Sequence, residues 1–235
     1  ALSRAVADLP GLGALLGGEV LFWRPGAGAP VHGGTVLAWG RKPSAARAEA
    51  VAARYGLPVL RLEDGFARSL GLGADEPPLS VVRDDLGIYY DATAPSRLEV
   101  LAGLPLDPAR RDRAGVVRDL WRRGRISKYN LAREAAGDLP ETFVLAADQT
   151  AGDASIRCGL AGAASFSRML EAALDEHPGV AVVLKIHPEV AAGRKRGHFE
   201  ADRLRRLDRV RLLAADVHPA GLLARARAVY TVTSQ

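Results

Sequence analysis

The sequence contains one cysteine, Cys158, in 235 residues. A lone thiol excludes an internal disulfide and a cysteine-rich zinc site, and it points to a reducing compartment with Cys158 as a small buried apolar residue. No apolar run reaches the roughly 18 residues that a membrane-spanning helix needs. Asp8, Pro10 and Glu19 interrupt the one candidate near the N-terminus. No GxGxxG follows a β-like run and no GxxxxGK[ST] is present, so the usual signatures of nicotinamide and ATP binding are missing. No His and Cys pair has zinc spacing. Aromatic residues make up only 6%, and no nucleic-acid recognition motif accompanies the net charge of +5, so nucleic acid is not an expected partner.

What is present is a globular α/β composition, 48% apolar and 25% charged, without low-complexity segments or a fixed repeat. Short apolar runs alternate with alanine-rich helical patterns, the arrangement of parallel sheets covered by helices. Residues 34–40 read as a strand, 44–56 as a helix with Ser44 as N-cap and Gly56 just past its end, and 58–65 as the next strand. Residues 96–135 read as a helical connector. The alternation restarts with strands at 141–148, 180–188, 209–214 and 228–234 and helices at 165–179, 198–207 and 220–226. The Gly, Asp and Pro of "GDLP" near 138–141 mark a boundary, giving domains 1–139 and 140–235. The chain starts at Ala1 without Met and stops just after a strand, so the reading expects a fragment whose second domain is incomplete.

In an open parallel sheet, ligands sit beyond the carboxyl ends of the strands. Nearly every strand end here carries polar chemistry: "GRKPS", "EDGFARS", "DQTAGDAS", "KIHPE", "ADVHP" and "TSQ". "EDG" is either a turn or a carboxylate base. "KIHPE" is either a strand terminator with a capping His or a phosphate site built from Lys185 and His187. The hydroxyls of "TSQ" suit an N-cap or a phosphate equally, and His218 reads as a capping or surface residue. Asp84, Asp85 and Asp91 fit a cation site or acids capping a strand. The basic runs at 120–125 and 193–198 are solvated faces or contacts for anionic partners such as sugar phosphates and lipid headgroups.

The segments "WGRKPS", "RLEDGFARSLGLG", "PPLSVVRDDLGIYYDATAPSRLE", "ISKYNL", "DQTAGDASI", "LKIHPEV", "GRKRGHF" and "YTVTSQ", in this order, resemble the bacterial capsule β-Kdo transferases of the KpsC type. The resemblance implies a GT-B enzyme, two Rossmann-like domains facing an interdomain cleft. It implies transfer of Kdo from CMP-β-Kdo, with retention, onto a phosphatidylglycerol-linked poly-Kdo acceptor at the cytoplasmic side of the inner membrane. It also implies no metal or other cofactor, and as partners a second transferase module and capsule assembly proteins. By the same resemblance Asp153 is the nucleophile, Gln149 and Ser155 orient it or the sugar, and Asp148 caps the turn. Glu63 or Asp64 is the acceptor base, a motif shared with bacterial sialyltransferases. Lys185, His187, Pro188, Thr233, Ser234 and Gln235 receive the CMP phosphate. Arg41, Lys42, Arg68 or Lys128 holds the Kdo carboxylate. A sialic acid transferase and a non-catalytic module of a capsule assembly complex are the competing readings.

Overall fold

The computed structural model describes residues 1–24, 26–28, 33–71, 76–134 and 139–234. It divides into two compact units, Ala1–Asn130 and Leu131–Gln235. The division falls before the expected boundary because Asn130 is stitched into the first unit, its N–H donating to the Leu70 carbonyl, while Arg133 already bridges to Val217 in the second. Gly137 and Asp138 of the expected linker lie outside the described residues.

The first unit holds a three-stranded sheet of β1 (Val36–Trp39), β2 (Val59–Asp64) and β3 (Val81–Asp84), in that order. β1 and β2 are parallel and β3 is antiparallel to β2, with Asp64 opposite Val81. The crossover helix Pro43–Tyr55 begins one residue earlier than expected. Lys42 is its N-cap and Pro43 its first residue, where the missing N–H is harmless, so Ser44 is inside the helix. Ala45, Ala48 and Ala52 recur on one face and pack on Val36 and Ala38, their small side chains letting the helix approach the sheet closely. The opposite sheet face, Leu37 and Leu62, is covered by Val6 and Leu12 from the first residues of the chain. The expected connector forms two helices, Arg97–Ala102 and Pro108–Arg123, and then loses helical form. The Lys128 carbonyl instead accepts from the N–H groups of Arg68 and Ser69.

The second unit is an all-parallel sheet of β4 (Phe143–Ala147), β5 (Val182–Lys185), β6 (Val210–Leu213) and β7 (Ala226–Tyr230), ordered β6-β5-β4-β7. Alternate residues of each strand face opposite layers. Val144, Ala146, Val182 and Leu184 bury against Phe166, Met169, Leu170 and Ala173 of the helix Ala163–Glu176. Phe143, Leu145 and Val183 bury against Val217 and Leu222. Complete burial of a side chain such as Phe143 or Phe166 is worth about 1.5–3 kcal/mol. The chain winds outward from β4 to β6 and returns to lay β7 on the other side of β4. Strand order therefore reverses between β4 and β7, and their carboxyl ends form the crevice where α/β sheets bind ligands. β7 begins earlier than expected and ends at Tyr230, which frees Thr231 to Ser234 to line that crevice. The expected helix over 198–207 is reduced to Ala201–Leu204, because His198 and Phe199 pack on Phe166 instead.

Candidate functional site

In the second unit, the strand-end segments meet around one side chain. Gln149, buried just beyond β4, accepts the Thr233 N–H on Oε1 at 2.9 Å and donates from Nε2 to the Thr233 hydroxyl at 2.9 Å and to Ser155 Oγ at 3.4 Å. The two hydroxyls are 3.2 Å apart. Gln149, Ser155 and Thr233 are thus one hydrogen-bonded set spanning the point where strand order reverses. Asp153, two residues before Ser155, is exposed, and its Oδ1 accepts the Ser155 N–H at 3.0 Å, capping the helix Ala154–Cys158. Among the described residues its second oxygen has no partner, so half of the carboxylate remains open to a ligand.

His187 follows β5. Its Nδ1 accepts the Glu189 N–H at 3.1 Å and caps the helix Pro188–Ala191, with Pro188 in the first position. In the neutral ring the proton therefore sits on Nε2. Burial lowers its pKa, the cations of Lys185 and Lys195 lower it further, and Glu189 and Asp153 oppose them. Lys185, the last residue of β5, is likewise pushed down by burial, with Asp216 acting the other way. These groups sense one another's charge at one end of the sheet. A phosphate arriving there would favour the protonated form of both, which is what an anion site without a metal requires. Ser234 is exposed, its N–H donating to Thr231 Oγ1 at 2.9 Å, and Gln235 lies outside the described residues.

His198 and Asp148 together organise this region. His198 donates from Nδ1 to Asp148 Oδ1 at 3.0 Å and stacks on Phe166 with ring centroids 3.6 Å apart. Its N–H also reaches Asp148 Oδ2 at 3.4 Å. Asp148 does more than cap its turn: it binds the basic loop 193–198 to the end of β4, helped by the Arg196 carbonyl accepting the Ala151 N–H. Gly197 is needed there, because a Cβ would lie 2.5 Å from Asp148 Oδ2. Lys195 is thereby brought near His187. The signal in the sequence is "GRKRGHF" itself, a charge run ending in an aromatic pair that has no place on a merely solvated face. His218 is a cap, its Nδ1 accepting the Ala220 N–H at 3.2 Å.

The first unit treats its charged residues differently. Glu63 Oε1 accepts from Trp39 Nε1 and the Asp64 N–H, both at 3.1 Å, and Oε2 accepts from the Tyr90 hydroxyl at 3.1 Å. Tyr90 in turn accepts the Arg41 N–H at 2.9 Å. Gly40 makes this possible: its φ is +47°, and a Cβ would overlap the Tyr90 hydroxyl and stand 2.5 Å from Glu63 Oε2. Asp64 faces the buried Arg68 guanidinium at 2.9 Å, and Arg68 also donates to Ser69 Oγ and the Glu76 carbonyl. Arg41 pairs with Asp91 and with Glu49. Burial raises the Asp91 pKa, but hydrogen bonds from Thr93 and the Arg41 pairing outweigh it and hold it low. Of the four basic candidates for a sugar carboxylate, Arg41 and Arg68 are thus already matched. Exposed Lys42 and Lys128, each 5.8 Å from an aromatic ring centroid, Trp39 and Tyr129, remain.

The glycine of "EDG" is set by space and not by turn conformation, because a Cβ on Gly65 would run into Ser80, including its backbone carbon at 2.9 Å. The acids of 84–91 cap structure. Asp84 accepts the N–H groups of Leu86, Gly87 and Arg97, and Asp85 pairs with Arg97 at 2.7 Å. No group of three or more potential metal ligands occurs among the described residues. Nor is any helix among them long and apolar enough to cross a membrane.

The chain matches the family described as capsule polysaccharide biosynthesis protein over residues 34–118 and 116–235. It is 42% identical over 242 residues to the capsule polysaccharide modification protein LipA of Neisseria meningitidis serogroup A, covering 99% of this chain and 33% of LipA. It is 32% identical to the lipopolysaccharide-processing protein LpsZ of Rhizobium meliloti, over 78% of this chain and 43% of LpsZ. The chain thus spans about a third of the length of LipA. Among solved structures, the KpsC beta Kdo 2,4 transferase of Thermosulfurimonas dismutans superposes with a TM-score of 0.88 at 40% identity, over 99% of this chain and 73% of that one. The α/β fold with parallel-strand sheets is common to both, and the chain belongs to the capsule polysaccharide biosynthesis protein family.

Proposed function

We propose that this chain is a module of a retaining β-Kdo transferase of the GT-B kind, with Ala1–Asn130 as the acceptor half and Leu131–Gln235 as the donor half. Its donor is CMP-β-Kdo and its acceptor a Kdo-bearing phosphatidylglycerol primer of capsular polysaccharide. The 40% identity to a beta Kdo 2,4 transferase across nearly the whole chain carries this reading and favours a 2,4 linkage. The half-open carboxylate of Asp153 beside Lys185, His187 and Lys195 supports the chemistry.

Retention follows from two inversions. Asp153 Oδ2 attacks the anomeric carbon of Kdo, the bond from that carbon to the phosphate oxygen breaks, and CMP leaves as an anion met by protonated Lys185 and His187. The acceptor hydroxyl then attacks the same carbon, giving its proton to Glu63 or Asp64, and the ester bond to Asp153 breaks to restore the carboxylate. Gln149, Ser155 and Thr233 hold the turn that presents Asp153. Of the four basic candidates, Lys42 and Lys128 remain for the Kdo carboxylate.

The test is intact-protein mass spectrometry of the complete polypeptide after incubation with freshly generated CMP-Kdo. An added Kdo on Asp153, lost in Asp153→Ala together with about a thousandfold or more of transfer, is expected. An adduct on another residue, or transfer retained in Asp153→Ala, removes Asp153 as nucleophile.

A further inference from the structure

The helix Pro108–Arg123 and the shorter helix Arg97–Ala102 before it bury no residue of their own. The contrast is with Pro43–Tyr55, which buries three alanines against the sheet. On the longer helix Val116, Val117, Leu120 and Trp121 are exposed by 57%, 46%, 55% and 36%. Val116 and Leu120 stand one turn apart with Val117 and Trp121 beside them, so the four form one apolar stripe. Leu101 and Leu104 of the shorter helix and its end are half exposed as well. Arg113 precedes Val116 by three residues and Arg123 follows Leu120 by three, which places arginines on the same side as the stripe, where Asp112 and Asp119 also stand, four before and three after Val116. The longer helix has six arginines against two aspartates, a net of four positive charges in a chain whose total is +5.

An apolar stripe carrying an aromatic residue and edged by arginines is the pattern of a helix lying in a bilayer interface, its apolar side among the acyl chains and its cations at anionic headgroups. We infer that the helix Pro108–Arg123 docks this chain on an anionic lipid surface. A protein partner for the apolar stripe would not need the surplus of arginine, and an acidic soluble partner would not need the exposed Leu and Trp. Both features fit one occupant, a bilayer with negative headgroups. The inference goes beyond the proposed transfer reaction and does not depend on it.

The complete polypeptide is to be sedimented with vesicles of phosphatidylcholine alone and with vesicles of phosphatidylcholine containing phosphatidylglycerol. Binding to the second and not the first is expected, weakening as salt shortens the reach of the charges. Each arginine near an anionic surface is worth about fivefold in partitioning, so Arg113→Glu with Arg123→Glu is expected to weaken binding by about 20-fold or more. Val116→Asn with Leu120→Asn, at exposed positions, is expected to weaken it by about tenfold or more. Circular dichroism checks that both variants keep their helices. A polarity-sensitive dye on Val117→Cys is expected to shift to the blue only with anionic vesicles, since buried Cys158 does not compete for label. Equal binding to both vesicle types, or binding that survives both double variants, overturns the inference. So does a dye already shielded without vesicles, which would give the stripe to another part of the polypeptide.

Discussion

The two units build their strand ends from the same residue types and leave them in opposite states. In the first, the candidate carboxylates are matched: Glu63 accepts three hydrogen bonds, Asp64 faces Arg68, and Asp91 holds Arg41. In the second, Asp153 keeps one oxygen open, and burial lowers the pKa of both Lys185 and His187, which have no carboxylate bound directly to them among the described residues. A matched network fixes geometry, because removing one partner leaves the other unsatisfied. An incompletely matched one has capacity left for a charged ligand. The difference fits a first unit that orients and a second that receives an anion.

The sharpest way to break this contrast is Gly40→Ala. The added methyl pushes apart Tyr90 and Glu63 at a backbone with φ of +47°, and a loss of about 1–3 kcal/mol in urea unfolding is expected. CMP affinity should hold, since the residues proposed to bind it lie in the other unit; an equal fall in affinity would show that the two strand-end networks are not independent. Asp148→Asn is the reciprocal case. It weakens the tie to His198, with an expected loss of roughly 1–2 kcal/mol, and it frees the loop carrying Lys195. CMP affinity by calorimetry should fall here, and an unchanged affinity would detach the basic loop from the proposed phosphate site.

The smallest effect is a pH dependence. His187 has a folded pKa below its ordinary 6.5, so the unfolded chain binds its proton first as pH drops. Its contribution to stability is complete above 6.5 and is lost as pH falls through the lower folded value, where protonation also turns Nδ1 from acceptor to donor and removes the cap on Glu189. His187→Asn retains a capping acceptor but does not titrate. Thermal unfolding of that variant between pH 7 and 5 should be flatter than that of the wild type. A parallel pair of curves would mean that His187 does not titrate differently in the folded state.

Much of the fold was legible because period and punctuation are local. The strands at Val36, Val59, Phe143, Val182 and Val210 follow from short apolar runs, and Gly56 marks its helix end. Pro43 outweighed Ser44 at the helix start because a ring that fits the first turn needs no side-chain cap. The candidate residues at strand ends were legible by topology, but their partners were not. Nothing local in "GRKPS" says that Arg41 will be spent on Asp91, fifty residues away, or that Asp148 will hold His198. Such pairings exist only once the sheet has brought distant loops to one edge. The packing of the first residues of the chain was hidden for the same reason: Val6 and Leu12 close the core over Leu37 and Leu62 only once the sheet has formed.

The bond between Gln149 and Thr233 links residues 84 positions apart. Such long-range pairing forms late, since the loop it closes is long and gains nothing until both ends are anchored. β7 must dock beside β4 before Thr233 can arrive. A half-assembled second unit, with β4, β5 and β6 in place and the last strand still loose, would therefore hold nearly all of its core and already carry Asp153, Lys185 and His187 at its strand ends, but would lack the Thr233 contacts to Gln149 and Ser155. The last strand to arrive is the one that ties down the turn carrying Asp153.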